Sequence, residues 1–190
     1  MSDNHPALIK RIANGDKQAL AELYRIYERP VYRFILSRMN DPHEAADILH
    51  DVFMDIWRVA ARFEGRSHVR TWIFGIAYRK AIDTHRRKRR MEVTDEVPEP
   101  EETAEAAECA LAAAQESAHL RDCMSGLSDE HQNAISLAFF EDMTCGQIAE
   151  IAGVPEGTIK SRLHHAKKLL LHCLSGRIGA PGQPGRRASA

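Results

Sequence analysis

Residues 144–171 constrain this chain more tightly than any other stretch. Thr144-x-x-Gln147 matches a capping box, in which side chain and backbone at a helix start satisfy each other's hydrogen bonds. The short stretch 147–152 then meets Gly153, which can take the left-handed conformation that a tight helix stop needs. Pro155 stands where a second helix would start, a position that tolerates its missing N–H, and Glu156 follows in the first turn. At about 100° per residue, Ile159, Leu163, Ala166 and Leu170 fall within about 60° of one another and form a buried face. Gly157, Ser161, His164, His165 and Lys168 point away from it, with Lys160, Arg162 and Lys167 on the flanks. The outward set is small, polar and basic. Such a set suits a helix entering a major groove, with hydrogen-bonding groups for base edges and cations for phosphates. The plainer reading is a solvated, Lys-rich face. The short helix, Gly turn and Pro-started helix together favour DNA.

The overall charge of -1 hides a segregated chain. Residues 1–90 carry +7, residues 91–117 carry -9, residues 118–174 carry -2 and residues 175–190 carry +3. A basic block, an acidic connector and a mixed second block suggest a nucleic-acid or charged-protein partner. The apolar fraction of 44% is enough for a real core and excludes wholesale disorder.

The first block reads as helices. Leu20, Leu23, Tyr24, Tyr27, Val31, Phe34 and Ile35 recur near the 3.6-residue period, and Pro30 is expected to bend or restart that helix. A turn at Asn40-Asp41-Pro42 leads into a helix over about 44–63. Ala45, Ile48, Leu49, Val52, Phe53, Ile56, Trp57 and Ala60 form its apolar stripe, and Asp47, Asp51, Asp55, Arg58 and Arg62 line the opposite face. Residues 64–70 read as a loop. A third helix spans about 71–90 and ends in Arg86-Arg87-Lys88-Arg89-Arg90. Residues 91–103, with Pro98 and Pro100 among acids, read as an extended solvated linker. The Gly- and Pro-rich stretch from Ser175 reads as a disordered tail. No strand-like alternation of useful length occurs. The expected fold is all-α, with two small helical domains at 1–90 and 118–174, an acidic linker at 91–117 and a tail at 175–190.

No apolar h-region follows the polar N-terminus, and no run of about 18 apolar residues occurs, so neither a secretory signal nor membrane insertion is expected. Cys109, Cys123, Cys145 and Cys173 are dispersed without a C-x-x-C pair. That spacing predicts no disulfide framework and a reducing cytoplasm. His119-x-x-x-Cys123, with His131 nearby, makes a zinc site or thiol sensor conceivable, but scattered ligands are more often core or surface residues, and no metal or cofactor is expected.

Residues 153–163, Gly-Val-Pro-Glu-Gly-Thr-Ile-Lys-Ser-Arg-Leu, resemble the region 4 signature of bacterial sigma factors, most nearly the extracytoplasmic function (ECF) group of the sigma-70 family. Residues 127–132 are similar to the start of that region. Residues 47–57 resemble region 2.2, and residues 71–77 with Ala81-Ile82-Asp83 and Arg86-Arg87 resemble regions 2.3 and 2.4. The resemblance covers about residues 19–174 in the family's order and spacing.

The resemblance implies partners and sites. Region 2 would bind the clamp helices of the largest subunit of core RNA polymerase through Asp47, Asp51, Phe53, Asp55 and Trp57. It would melt and read the -10 promoter element through Arg66, Thr71, Trp72, Tyr78, Arg79, Lys80, Asp83, Arg86 and Arg87. Region 4 would read the -35 element through Thr158, Lys160, Ser161, Arg162, His164, His165, Lys167 and Lys168, and rest on the flap of the second-largest subunit. The connector would thread the polymerase's positive RNA path, or serve only as a solvated spacer. An anti-sigma factor would hold regions 2 and 4 away from polymerase and so recruit this cytoplasmic, nucleoid protein to the membrane in some cases.

The residues support these roles on their own terms. Carboxylates at Asp47, Asp51 and Asp55 share one helix face and suit an Arg- and Lys-rich partner helix, though a solvated face is the plainer account. Cations at helical spacing beside Trp72, Phe74 and Tyr78 can neutralise phosphates while aromatic faces stack on unpaired bases, and a core role for Trp72 or Phe74 is the plainer account. The family often has Gln at His50, Asn at Arg79 and Arg at His165. Three rival readings remain: a response-regulator-like activator, a metal-dependent nuclease using the three aspartates, and an adaptor that binds only proteins.

Overall fold

Helix starts in this chain are set by short polar side chains. The computed structural model describes residues 5–39, 41–91 and 119–178. Helix α1 (His5–Ala13) ends at Asn14 and Gly15, whose φ of 83° is a left-handed turn value. Asp16 then opens α2 (Lys17–Met39): its Oδ1 accepts from the amides of Gln18 at 2.8 Å and Ala19 at 3.1 Å. Those bonds, Ala19 first, and the Arg11 guanidinium at 2.8 Å hold the Asp16 carboxyl below its ordinary range. Asp41 does the same for α3 (Pro42–Val59), accepting from the amides of His43 and Glu44, with Pro42 in the first turn. A 3₁₀ turn (Ala60–Arg62) and a loop lead to α4 (Val69–Met91).

Of the bend or restart expected at Pro30, the restart does not occur, and the helix runs unbroken from Lys17 to Met39. Proline removes one intrahelical hydrogen bond, but Leu23, Tyr27, Val31, Phe34 and Ile35 are all buried on either side of it. Tertiary burial of that stripe outweighs the local cost.

Residues 119–125 are helical, here α5, followed by α6 (Asp129–Ile135), a π-helical turn (Ser136–Phe140), α7 (Cys145–Ala152) and α8 (Glu156–Ile178). All regular structure among the described residues is helical, as expected. Helix α8 extends to Ile178, so residues 175–178, expected in the tail, are helical. The connector 92–118 and the tail beyond 178 lie outside the described residues.

Packing groups the chain into two compact units: Met1–Glu99 with Ser136–Glu156, and Pro100–Ile135 with Gly157–Ala190. The grouping cuts through residues 118–174. In the first unit α1, α2, α3 and α4 pack around a core that includes Ile9, Ile12, Leu23, Ile35, Ile56, Ile73 and Phe74. Helix α7 packs on α4 in the same unit, with Ile148 and Ile151 buried.

The second unit has a small core of Leu127, Ile135 and Ala166, flanked by Met124, Leu163 and Leu170. Beside it lies a disulfide between Cys123 and Cys173, with Cα atoms 5.8 Å apart. This corrects the expectation of dispersed, unbridged thiols. Cys173 continues the apolar stripe of α8, three residues after Leu170 and seven after Ala166, and Cys123 lies one turn before Leu127. Packing the two stripes brings the sulfurs together. Cys145 keeps a free thiol. The bridge also takes Cys123 from the conceivable zinc set, and His131 Nδ1 hydrogen-bonds Ser128 Oγ at 3.0 Å. No group of three or more His, Cys, Asp or Glu among the described residues could hold a metal ion.

Candidate nucleic-acid interface

The turn ahead of α8 forms as its residues dictate. Thr144 Oγ1 accepts from the Gln147 amide at 3.3 Å, and the Thr144 amide donates to Gln147 Oε1 at 2.9 Å, completing the capping box. Gly153 stops α7 with φ 66° and ψ 34°. Its amide donates to the Ala149 carbonyl, as does that of Val154 at 3.1 Å. Thr144→Ala removes one half of the box. It is expected to lower stability by about 1 kcal/mol in a denaturant melt, with the helix content of the native state unchanged.

Helix α8 divides as its periodicity predicts. Ile159 and Ala166 are buried, and Leu163 and Leu170 are half-buried. Lys160, Ser161, His164, His165, Lys167 and Lys168 are exposed, and Thr158 and Arg162 are half-buried. Ser161 Oγ donates to the Thr158 carbonyl at 2.9 Å. The His164 and His165 rings meet edge to face, 5.7 Å between centroids. The exposed face therefore offers donors, acceptors and cations together, which is what base-edge and phosphate contacts require.

The acidic face of α3 is also where its spacing puts it. Asp47 and Asp51 are exposed and Asp55 half-buried. Lys80, read from sequence as a DNA contact, places its ammonium on these carboxylates, 3.0 Å from Asp55 and 3.7 Å from Asp51. Arg58 pairs with Asp55 at 3.3 Å. The three aspartates do not converge on a metal-sized site. Phe53 is buried, its ring 4.7 Å from that of Tyr24, and Trp57 is half-buried. Beside this face, a cavity of about 330 Å³ opens between α2 and α3, with Tyr24, Arg25, His50 and Met54 among its walls.

Helix α4 sorts its aromatics. Phe74 is fully buried against Phe34, whereas Trp72 is half-buried against Phe63 with ring centroids 5.0 Å apart. Phe74 is thus the core residue of the pair. Thr71 is buried, Tyr78 half-buried, and Arg79, Asp83, Arg86 and Arg87 are exposed. Arg66 is exposed in the preceding loop, paired with Glu64 at 2.6 Å. One cluster escaped the sequence reading. Glu141 is buried and paired with Arg70 of α4 and Arg33 of α2. The pairs span 71 and 108 residues, so no local pattern could reveal them.

The sigma-70 region 2 family model matches residues 23–91, and the sigma-70 region 4 model matches residues 123–170. The ECF RNA polymerase sigma factor SigK of Mycobacterium sp. (strain JLS) is 27% identical over 175 residues, covering 88% of this chain and 89% of SigK. SigK of Mycobacterium bovis (strain BCG / Pasteur 1173P2) is 25% identical over 182 residues, covering 92% and 95%. Among solved structures, CnrH in complex with the cytosolic domain of CnrY shares the fold. Its TM-score is 0.71 at 19% identity, over 92% of this chain and 99% of that one. The sigma factor RpoE in complex with the anti-sigma factor NepR, from Bartonella quintana, gives a TM-score of 0.66 at 25% identity, over 82% and 96%. With both sigma regions matched in order, and an all-helical fold to carry them, the chain belongs to the sigma-70 family of RNA polymerase sigma factors, in its extracytoplasmic function group.

Proposed function

We propose that this chain confers promoter specificity on core RNA polymerase and is not itself an enzyme. The observation that carries the reading is the exposed, basic and hydrogen-bonding face of α8, set behind a capped α7 and the left-handed Gly153, in a chain that also matches region 2. Asp47, Asp51 and Asp55, with Phe53 and Trp57 shaping their helix, meet the clamp helices of the largest subunit. Trp72, Tyr78, Arg79, Asp83, Arg86 and Arg87, with Arg66, Thr71 and Lys80 around them, take the -10 element. Cations hold the phosphates, and stacking on aromatic faces traps unpaired bases, so binding energy rather than ATP opens the duplex. Thr158, Lys160, Ser161, Arg162, His164, His165, Lys167 and Lys168 take the -35 element, and region 4 rests on the flap of the second-largest subunit.

Run-off transcription with purified core polymerase and a genomic promoter library tests the reading. Selective new transcripts are expected only when the protein is added. Core binding without transcripts would point to an adaptor, and no core binding would overturn the reading.

His165 sets one specificity. An imidazole points its two ring nitrogens in diverging directions, so it cannot reproduce a bidentate arginine–guanine contact. His165→Arg is expected to shift the selected -35 bases toward guanine at one position in binding-site selection, and an unchanged selection would refute the assignment.

RpoE in its solved complex is bound by an anti-sigma factor, and a partner of that kind is proposed here too. It would compete with polymerase for region 2 and region 4 surfaces, so isolation of a ternary complex would refute mutually exclusive binding. No helix among the described residues is long and apolar enough to cross a membrane. Work on promoter DNA places the protein in the bacterial cytoplasm, with any membrane recruitment left to that partner.

A further inference from the structure

We infer that Lys80 is an exchangeable internal cation. It holds Asp51 and Asp55 in the free protein, yields them to cations of the polymerase clamp, and then carries its charge to a promoter phosphate. The inference rests on the sigma reading above and couples two of its steps.

Two proposed roles meet at one ammonium. On the proposed reading Lys80 serves the -10 element, yet its Nζ lies 3.0 Å from Asp55 Oδ2 and 3.7 Å from Asp51 Oδ2, on the face assigned to the clamp. Helices α3 and α4 belong to the same compact unit and pack directly on each other. A single side chain therefore joins the polymerase-facing element to the promoter-facing one.

The three carboxylates are not equally available. Asp55 has both oxygens engaged, Oδ2 by Lys80 and Oδ1 by Arg58 Nη1 at 3.3 Å. Asp51 meets Lys80 only at the longer distance, and 66% of its side chain is exposed. Asp47 is exposed one turn nearer the start of α3. A basic helix arriving on this face can pair with Asp47 and Asp51 first, and takes Asp55 only by displacing a cation already there. Arg58 belongs to α3 itself, so moving it changes nothing on α4. Lys80 comes from the other helix, and its release changes what α4 offers. An arginine of the partner can grip both oxygens of a carboxylate, whereas an ammonium is a point charge on a flexible stem. With Lys80 26% and Asp55 33% exposed, the pair is sheltered enough to form and wet enough to exchange.

Helix periodicity says where the released ammonium goes. Ile73, Ile76, Lys80 and Arg87 follow one strip of α4, within about 60° of one another. Ile73 and Ile76 are buried and Arg87 is exposed, so the strip leaves the bundle at Lys80. Four methylenes on a fixed Cα let the ammonium turn from Asp55 to the exposed side, which carries Arg79, Asp83 and Arg87. Free and docked protein then differ by one cation on the -10 face. Polymerase, by taking Asp51 and Asp55, raises the affinity for promoter, and by linkage promoter raises the affinity for polymerase.

The test uses the full chain and purified core polymerase. Lys80→Met keeps a stem of similar length and removes the charge. It is expected to bind core about threefold more tightly than the wild type, the gain when an internal pair that holds the carboxylates about two-thirds of the time is removed. As holoenzyme, the same variant is expected to bind a promoter recovered by run-off transcription more weakly, with the slope of log affinity against log salt reduced by about one. A residue that only braced α4 against α3 would weaken both steps, so tighter core binding with weaker promoter binding is the signature of exchange. An unchanged slope would leave the freed ammonium on Asp83 and overturn the phosphate step. Arg62→Met removes an exposed cation just beyond α3 and is expected to change neither affinity. Tightening equal to that of Lys80→Met would reduce the effect to net charge and overturn the exchange. In the protein alone, Lys80→Met, Asp55→Asn and the double variant form a cycle in chemical denaturation, with unfolding constants expected to be non-additive by about threefold. Additive effects would show that the pair does not form in solution and would overturn the proposal without reference to polymerase. Wild-type protein that binds no core would sink the sigma reading and the exchange with it, whereas wild-type binding with Lys80→Met no tighter would sink the exchange alone.

Discussion

Cys123→Ser is expected to remove about 4 kcal/mol from the stability of the second unit, the loop-closure term for a bridge spanning 50 residues. The unit has little else to hold it. Its core is Leu127, Ile135 and Ala166 with three half-buried neighbours, and small domains of this kind bury too little apolar surface to be robust. Against a total of about 5–15 kcal/mol for an ordinary domain, the loss is large. Chemical denaturation monitored by fluorescence of a label on α8 should show an early transition for the variant, and Cys173→Ser should match it. Reduction of the wild-type protein should reproduce the effect, whereas Cys145→Ser, which removes a thiol outside the bridge, should not. A wild-type protein whose unfolding is insensitive to reductant would rule out the bridge as a stabilising element.

Phe74→Ala is expected to cost the first unit about 3–5 kcal/mol, and Trp72→Ala no more than about half of that. The two aromatics are two residues apart on one helix, yet Phe74 is fully buried against Phe34 and Trp72 only half-buried against Phe63. Deleting the first leaves a cavity in the centre of the bundle. Deleting the second removes a partly wet ring. Function should divide the opposite way. On the proposed reading Trp72→Ala keeps core polymerase binding and loses open-complex formation, scored by permanganate reactivity of unpaired thymines. Phe74→Ala loses both together, because the helix it anchors is no longer held. If Trp72→Ala opened promoters at the wild-type rate, the stacking role would belong to another residue, with Tyr78 the nearest half-buried aromatic on α4.

Helices, caps and the segregation of charge were readable because their causes are local. Thr144 and Gln147 meet across three residues, Asp41 reaches amides two and three residues ahead, and Gly153 meets a backbone demand at its own position. The apolar stripe of α8 and the acidic line of α3 follow from a helix repeat that any segment carries within itself. The same locality explains why a restart was admitted at Pro30, where the local cost was visible and the burial that outweighs it was not. Lys80 is a similar case. Its charge was legible, but its nearest anions, Asp51 and Asp55, lie on another helix.

What the sequence by itself determined is the all-α class, the helix-turn-helix and the kinship to sigma factors, since each rests on patterns within a few turns of chain. The tertiary structure alone decided the Cys123–Cys173 bridge, the burial of Phe74 rather than Trp72, and the seating of Glu141 between Arg33 and Arg70. Those contacts join residues 50 to 108 positions apart, or depend on which face of a helix meets which neighbour. Chain periodicity carries no information about such separations. They are fixed when apolar stripes pack, and polar groups then pair with whatever that packing brings within reach.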